Sequence, residues 1–524
     1  MLKTILSAWR YLLFSLLIAV LTACERDGVQ DAFRSVAFSP TVMLTLKDFF
    51  DQSYINNNIA RGMAFFGQDE WQFLAYYDPL GQVIIVRRHL GDEKITRAVV
   101  YRNNTGQENN LFLLNPHHFI SGGLDKTGRI HLVFGAHNDK PIHLVSHARL
   151  MIDHWQELRS WIDHSGQRIT YPYLVRAPDG TLWLFYRDGQ AGKGHTYYFN
   201  DLNANDAAIS PRLLIDGTGE NSQYLFSPLF TPDGCLHIAW TWRLSDLSVM
   251  ENNPYRKKYF QGVTNRDIAY AKTCDRGLNW RDSSGQAYTL PIIRQGTFTQ
   301  QPETIDRLAI GQSFFNHYGS DYDASSHPHY TYFHWDSRRH TQIWHLFHDG
   351  HRWIKNQVSD YPSDIRWNRH QVNGLAGMEL ARPEIVVNPT SAEAIIVTRS
   401  NLNGNILELY RALPPYANWQ RILINSGSLG GWEPQIDKRL WHERGLLEVL
   451  INTVRDQQAY QLFDQHPNPQ ERIILEQVKS GEFVTYPDYS ILAPVTSYPL
   501  RMENMRFNEY EAQIWRFVTT RLLK

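Results

Sequence analysis

The 524-residue sequence has only three cysteines and almost no net charge, because 52 Lys and Arg residues face 53 Asp and Glu residues. A balanced charge gives no global field for nucleic acid or an anionic membrane surface, so any preference for a charged ligand must come from a local site. Charge runs, low-complexity tracts and long Pro/Gly linkers are also missing. With 13% aromatic residues, including 16 Trp, the chain can bury a large core, which argues against disorder.

Two of the cysteines, Cys235 and Cys274, lie well inside the chain. Neither belongs to a CxxC or Cys/His spacing typical of zinc ligands. An oxidising compartment would permit a disulfide between them, but the spacing does not define a pairing. We expect two buried free thiols, with the disulfide as the alternative.

The third cysteine ends an N-terminal targeting segment. A positively charged start precedes the apolar run 11–20, and the LTAC sequence at 21–24 resembles the cleavage site of a bacterial lipoprotein signal. We expect a signal peptide at 1–23, lipidation of Cys24, a tether at 24–49 and a lipid-anchored protein of the cell envelope, at the outer membrane on its periplasmic or outer side. An ordinary secretory signal or a short anchor helix is the alternative. No other apolar run approaches the ~20 residues that span a bilayer.

A repeat of about fifty residues organises the rest of the sequence. Gly128, Gly180 and Gly234 are spaced by 52 and 54 residues, and each precedes an apolar run typical of a strand. Similar runs continue to residue 451, and residue-Pro pairs mark strand entries. Seven such units predict an all-β fold, a seven-bladed β-propeller at 50–480, with a C-terminal tail at 481–524 that packs on it. An eighth, degenerate blade is the alternative.

One unit is longer than the others. It contains TCDRGLNW at 273–280, which matches the Asp-box turn S/T-x-D-x-G-x-x-W that braces propeller blades. The following segment, 300–340, is rich in Tyr, His and Asp, and we expect an inserted loop that contributes to a binding site. Histidines between 327 and 351 have the alternating spacing of strands, so we favour strands over a metal site there.

The segment TYPYLVRAPDGTLWLFYRDG at 170–189 predicts a β-hairpin with its turn at Asp179-Gly180. Tyr171 lies eight residues before Asp179 and Arg187 lies eight residues after it. A phenol and a guanidinium are therefore expected opposite each other at the open end of the hairpin. A structural hydrogen bond between the two side chains is the alternative to a functional role.

The preceding hairpin repeats this arrangement. His117 and His137 lie ten residues either side of Thr127, and Arg243 follows its own turn glycine by nine residues, as His137 follows Gly128. Two imidazoles, one phenol and two guanidiniums are thus expected on one rim. Such an acid–base set beside an anion clamp indicates chemistry on an acidic substrate. Loop or capped surface histidines are the alternative.

The order and spacing of these motifs resemble the BNR-repeat propeller family that includes the ulvan lyases, over roughly residues 60–460. The matching motifs are His117, Gly128-Arg129-Ile130-His131-Leu132, His137-Asn138, Tyr171-Pro172, Asp179-Gly180, Tyr186-Arg187-Asp188-Gly189, Trp242-Arg243, Ala381-Arg382-Pro383 and Trp432-Glu433-Pro434.

The resemblance implies a polysaccharide lyase that cleaves a uronic-acid-containing acidic polysaccharide, such as ulvan, by β-elimination. His117 would be the base and Tyr171 the acid, with Tyr171 taking both roles for an epimeric uronate. His137 and Arg187 would bind the carboxylate. The complete set of substrate-binding residues would be His137, Asn138, Arg187 and Arg243. The chemistry needs no cofactor, a structural calcium or zinc ion stays unassigned, and we expect a monomer with no nucleic-acid partner.

Two other functions fit the same fold class. The first is a sialidase-like or rhamnosidase-like hydrolase; a sialidase needs an arginine triad, a Tyr–Glu pair and usually several Asp boxes, and this sequence has one Asp box. The second is a non-catalytic glycan-binding lipoprotein, which would expose aromatic residues without an acid–base set.

Overall fold

The structure is a computed structural model that describes residues 64–77, 82–92, 94–102, 118–159, 168–190, 193–202, 210–217, 221–244, 265–310, 312, 314, 316–365, 380–429 and 433–454, together with the strands Thr41–Thr45 and Tyr510–Phe517. Strands dominate this part of the chain, and its one α-helix is Lys438–Arg444. The all-β prediction is confirmed.

The described strands form seven sheets, numbered here in chain order. Sheet 1 contains Phe65–Gln68, Trp71–Tyr77, Val83–His89 and Ile95–Tyr101, and sheet 2 contains Ser121–Leu124, Ile130–Phe134, Ile142–Ser146 and Trp155–Glu157. Sheet 3 contains His137–Asp139, Ile169–Arg176, Leu182–Gln190, Lys193–Phe199, Arg212–Asp216 and Ile292–Ile293. Sheet 4 contains Asn221–Leu225, Leu229–Phe230, Leu236–Leu244, Asn265–Thr273 and Glu303–Asp306.

The remaining three sheets have four strands each. Sheet 5 contains Ser320–Tyr322, Pro328–Trp335, Thr341–His348 and Trp353–Gln357, and sheet 6 contains Glu384–Val387, Ala394–Arg399, Leu407–Ala412 and Gln420–Ile424. Sheet 7 contains Gln435–Ile436, Leu447–Val454, Tyr510–Phe517 and Thr41–Thr45. A short 3-10 turn, Asn401–Asn403, joins two strands of sheet 6.

Neighbouring sheets pack on one another through buried side chains. The largest apolar cluster extends from sheet 3 to sheet 6 and includes Trp183, Trp240 and Trp280. A second cluster joins sheets 1 and 2, and a third joins sheets 6, 7 and 1. Sheet 7 also contacts sheet 1 through Glu448 and Arg88, a buried ion pair with its atoms 2.8 Å apart. The last sheet therefore contacts the first.

The turn of the first predicted hairpin, at 125–128, forms as the sequence indicates. Asp125 Oδ1 accepts a hydrogen bond from the backbone N of Thr127 at 2.8 Å, and Gly128 has a φ of 77°. This left-handed conformation suits glycine, which has no Cβ to clash. Ser121 pairs with Val133, which centres the hairpin on Thr127 as predicted.

The expectation that 300–340 is an inserted loop is wrong. The segment contains two strands of sheet 5, Ser320–Tyr322 and Pro328–Trp335. Turn glycines do not mark the start of this sheet, because the left-handed turn positions on either side of Pro328–Trp335 are Ser326 and Arg339, each with a φ of 63°. Sheet 5 thus begins inside this segment, and its strand Thr341–His348 contains one of the apolar runs counted in the repeat.

The expectation of two free thiols is also wrong, because Cys235 and Cys274 form a disulfide. Cys235 directly precedes Leu236 and Cys274 directly follows Thr273; because Leu236 and Thr273 are an antiparallel pair, the two cysteines lie opposite each other. The Asp-box turn forms next to this disulfide, with Asp275 Oδ1 accepting a hydrogen bond from the backbone N of Asn279 at 2.9 Å.

Sheet 7 contains strands from both ends of the chain. Tyr510–Phe517 pairs with Leu447–Val454 on one side and with Thr41–Thr45 on the other. These two terminal strands lie in the stretches assigned to tail and tether, so the sheet extends beyond the predicted limits of 50 and 480.

The predicted signal peptide and Cys24 lie outside the described residues. No helix in the described ranges is long and apolar enough to cross a membrane.

Candidate active site

Tyr171 lies at a β-bulge near the start of Ile169–Arg176. Thr170 pairs with Arg187 and Tyr173 pairs with Phe185, so this strand carries one extra residue between the two pairs. The expected direct pairing of Tyr171 with Arg187 is wrong by one position. The two side chains still meet, because the guanidinium carbon of Arg187 lies 5.0 Å from the ring centre of Tyr171. Tyr171 has a φ of 55°, and strained residues of this kind cluster at functional sites.

Arg187 is a buried cation, only 4% exposed, between two tyrosine rings. Its guanidinium carbon is 4.9 Å from the ring centre of Tyr224. Within the described residues, its Nε and Nη1 have no hydrogen-bond partner and no carboxylate forms an ion pair with it. A buried guanidinium without a counter-ion among these residues can bind the carboxylate of a ligand.

Tyr224 was not predicted from the sequence. It lies between Arg187 and Arg243 and contacts both. The Nη1 of Arg243 donates a hydrogen bond to the Tyr224 hydroxyl at 3.2 Å, and its guanidinium carbon is 5.5 Å from the ring centre. Burial opposes ionisation, but the two guanidiniums outweigh it and lower the pKa of Tyr224 below its usual range. Burial raises the pKa of Tyr171, and neighbouring Tyr224 adds to that increase. Two phenols in contact thus differ in acidity.

His317 is a second residue that the sequence did not indicate. Its ring centre lies 4.2 Å from that of Tyr171 in an edge-on arrangement. Its Nδ1 is 2.7 Å from the Tyr173 hydroxyl and 3.0 Å from the carbonyl oxygen of Leu225. A carbonyl oxygen only accepts, so the hydrogen of the imidazole belongs on Nδ1. His317 has a φ of 57° and lies between sheets 4 and 5, in the segment expected to be a loop.

His137 and Asn138 approach the site from the other side of Thr170. His137 pairs with Thr170, the residue that also pairs with Arg187, and the backbone N of Asn138 donates to Thr170 Oγ1 at 2.8 Å. Burial, with Arg187 next in importance, lowers the pKa of His137 to about 3, so its imidazole is neutral. His118 lies 6.4 Å from His137, centre to centre.

The predicted base, His117, lies outside the described residues. Its neighbour His118 is buried and lies just before Ser121–Leu124, the first strand of sheet 2. The structure brings together the other five residues named from the sequence. Tyr171, Arg187 and Arg243 each contact Tyr224. His137 and Asn138 contact Thr170, which pairs with Arg187.

A buried ion pair supports the site from sheets 6 and 7. Arg382 is fully buried, and its Nε donates to Glu433 Oε1 at 2.8 Å. Its Nη1 donates to the carbonyl oxygen of Asn316, next to His317, at 3.1 Å. Arg382 and Glu433, each from a residue-Pro pair noted in the sequence, thus hold the backbone next to His317.

No group of three His, Cys, Asp or Glu side chains in the described ranges is arranged to hold a metal ion. The histidines of sheet 5 pair with each other instead; His329 Nδ1 lies 2.9 Å from His345 Nε2. The structural ion stays unassigned, and the expectation that the chemistry needs no cofactor stays a prediction.

Comparison with known proteins places the chain in a family. A model for BNR repeat-containing family members matches residues 71–361, which is more than half of the 524 residues. The chain belongs to the BNR repeat-containing family. No curated protein sequence matches it.

Solved structures with the same fold include polysaccharide lyases. An ulvan lyase of the PL25 family has a TM-score of 0.54 at 13% identity, over 76% of this chain and 91% of that one. A PL25 ulvan lyase bound to -[GlcA(1-4)Rha3S]- gives 0.55 at 13% identity, with the same coverage of 76% and 91%. Polysaccharide lyase Uly1 gives 0.53 at 16% identity, over 77% of this chain and 90% of that one. At these identities the likeness establishes a shared fold.

Proposed function

We propose that the protein is a polysaccharide lyase that cleaves a uronic-acid-containing acidic polysaccharide, such as ulvan, by β-elimination. The observation that carries the proposal is the buried Arg187 guanidinium, which has no carboxylate partner in the described chain and lies 5.0 Å from the ring of the Tyr171 phenol. An anion clamp in contact with a proton donor is what elimination from a uronate requires.

The reaction assigns a role to each residue. Arg187 and Arg243 bind the carboxylate at C5, which makes the C5 proton more acidic and stabilises the enolate-like charge. A base removes that proton, the C4–O bond breaks and a double bond forms between C4 and C5. Tyr171, whose raised pKa keeps it protonated, gives its proton to the departing oxygen. Neutral His137 and Asn138 bind the substrate, and His117 is the base that the family resemblance suggests.

The solved relatives support this substrate class, because one PL25 ulvan lyase with the same fold holds a glucuronate-containing saccharide. We further propose that the seven sheets are the blades of a seven-bladed β-propeller. The contact between sheet 7 and sheet 1 supports a closed ring of this kind. A lipid anchor at Cys24, a cell-envelope location and a monomeric state complete the proposal.

A sialidase-like hydrolase is the second candidate, because the charges of three arginines lower the pKa of Tyr171. They are Arg187, Arg243 and Arg382. However, Arg382 is fully buried and already bound to Glu433, so only two arginines are available to a carboxylate. We therefore favour the lyase. A rhamnosidase-like hydrolase and a glycan-binding protein remain outcomes of the test.

The test is the absorbance of an unsaturated uronate formed from ulvan, beside a neutral polysaccharide without uronic acid. Wild-type protein and Tyr322→Phe should form the product, since Tyr322 stacks on His442 away from the site. Tyr171→Phe should form little. If ulvan is bound but no unsaturated product appears with wild-type protein, the lyase proposal is wrong.

A further inference from the structure

Tyr224 has an arrangement of charges that the proposed reaction does not explain. Its side chain is only 1% exposed, and both guanidiniums of the anion clamp lie against it, at 4.9 Å for Arg187 and 5.5 Å for Arg243. The hydroxyl oxygen also accepts a hydrogen bond from Arg243 at 3.2 Å. The phenol oxygen therefore faces two cations at low exposure.

Among the described residues, two further aromatic rings lie beside Tyr224. The ring of Tyr171 lies 5.7 Å away and that of His317 lies 5.5 Å away, centre to centre. Arg187 forms no ion pair within the described residues, so its charge is not balanced by an acidic side chain there. A buried cation without a counter-charge favours ionisation of the nearest acid, and Tyr224 is the phenol in contact with both arginines.

We propose that Tyr224 is a positioning residue that acts as the built-in counter-anion of Arg187 and Arg243: its phenolate holds the empty clamp, and it takes up a proton when a substrate carboxylate binds there. The proton comes from the solvent, so one carboxylate and one proton enter together. The proposal rests on the proposed function for the identity of the anion, and the lowered pKa of Tyr224 supports it.

A specific pH dependence follows. Above the pKa of Tyr224, the phenolate neutralises the clamp and competes with the carboxylate. Because one proton is taken up, the Kd for the anion should rise about tenfold per pH unit in that range. Below that pKa, Kd should not change with pH. Substrate binding therefore has an alkaline limit, below the pH of about 10 at which an ordinary tyrosine ionises.

Reciprocity supplies a test that needs no catalysis. An anion that protonates Tyr224 must remove tyrosinate from the protein. The probe is free glucuronate, which has the carboxylate but no 4-O-linked sugar to eliminate. Near-ultraviolet tyrosinate absorbance is measured against pH, first without and then with glucuronate. Wild-type protein should show tyrosinate absorbance below the pH of about 10 at which an ordinary tyrosine ionises, and glucuronate should suppress it.

Matched variants show which tyrosine produces the early tyrosinate absorbance. Tyr224→Phe keeps the ring and should lose the early tyrosinate, whereas Tyr322→Phe should retain it. Tyr171→Phe should also retain it, because Tyr171 is the less acidic phenol of the pair. Arg243→Gln, at a partly exposed side chain, should move the ionisation of Tyr224 to higher pH, and it serves if Tyr224→Phe does not fold.

Three results would overturn the proposal. The first is no tyrosinate below the usual range in the wild type, and the second is an early signal lost in Tyr171→Phe instead of Tyr224→Phe. The third is a tyrosinate signal that no concentration of glucuronate reduces. A protein with this signal and its suppression but no unsaturated product from ulvan would contradict the proposed lyase and leave the counter-anion in place.

Discussion

Replacement by methionine should have different effects on stability at two buried arginines of the site. Arg187 is 4% exposed and Arg382 is 0% exposed, but only Arg382 has a carboxylate partner, Glu433. Arg187→Met should remove activity and should destabilise the fold less than Arg382→Met does. Arg382→Met should destabilise the fold, because it leaves the Glu433 carboxylate buried without its partner.

The magnitudes follow from the contacts. Arg187→Met loses two desolvated cation–π contacts, at 5.0 Å to Tyr171 and 4.9 Å to Tyr224, or about 4 kcal/mol together. It also removes buried N–H groups that have no partner in the described chain, which returns about 1–3 kcal/mol, so the free energy of unfolding should fall by about 1–3 kcal/mol. Breaking the buried pair in Arg382→Met should cost about 3–5 kcal/mol.

Urea unfolding of both variants and of the wild type measures these differences, and kcat/KM on ulvan measures activity. Loss of two charge-assisted hydrogen bonds to a carboxylate should lower kcat/KM of Arg187→Met by at least about 10²-fold. If Arg187→Met destabilises the protein as much as Arg382→Met does, Arg187 is a structural residue and the anion clamp is the wrong interpretation.

Three further predictions concern proton transfer, acid stability and the disulfide. Tyr171→Phe should lower turnover by about 10²-fold or more with an unchanged melting temperature, and near-wild-type turnover would remove Tyr171 from the mechanism. Burial lowers the pKa of His237 to about 3, so the unfolded chain binds a proton below about pH 6.5 that the folded chain does not. The free energy of unfolding should fall with acid from that pH, and the slope should be smaller by about 1.4 kcal/mol per pH unit in His237→Asn; an equal slope in urea titrations would contradict this. Replacing Cys235 and Cys274 by Ser should cost about 2–4 kcal/mol of stability, whereas thiol titration of two free cysteines in the native protein would refute the disulfide.

Local hairpin symmetry explains what the sequence could predict. The centre of the first hairpin at Thr127 is confirmed by the pairing of Ser121 with Val133, because a turn with a suitable glycine fixes the register of short strands. The same reasoning is wrong by one position at Tyr171, where a bulge inserts a residue. A bulge depends on tertiary packing and leaves no mark in the turn that symmetry is counted from.

The residues that the sequence missed come from distant parts of the chain. Tyr224 and His317 meet Tyr171 from sheet 4 and from the segment before sheet 5, and neither belongs to a recognisable local motif. The segment 300–340 was expected to be a loop because Ser326 stands at the first turn of sheet 5, where sheets 2, 3 and 4 have Gly128, Gly180 and Gly234. Convergence of this kind is set by how the sheets pack, which spacing along one hairpin cannot reveal.

The central claim is that this site breaks a glycosidic bond by elimination and not by hydrolysis. The most direct measurement is mass spectrometry of the oligosaccharides released from ulvan in water enriched in heavy oxygen. Elimination predicts products whose new non-reducing end is one water lighter than a hydrolysis product, with no heavy oxygen incorporated by cleavage in wild-type protein, and very little product with Tyr171→Phe. Saturated products that carry one heavy oxygen per cleavage would identify a hydrolase and contradict the account.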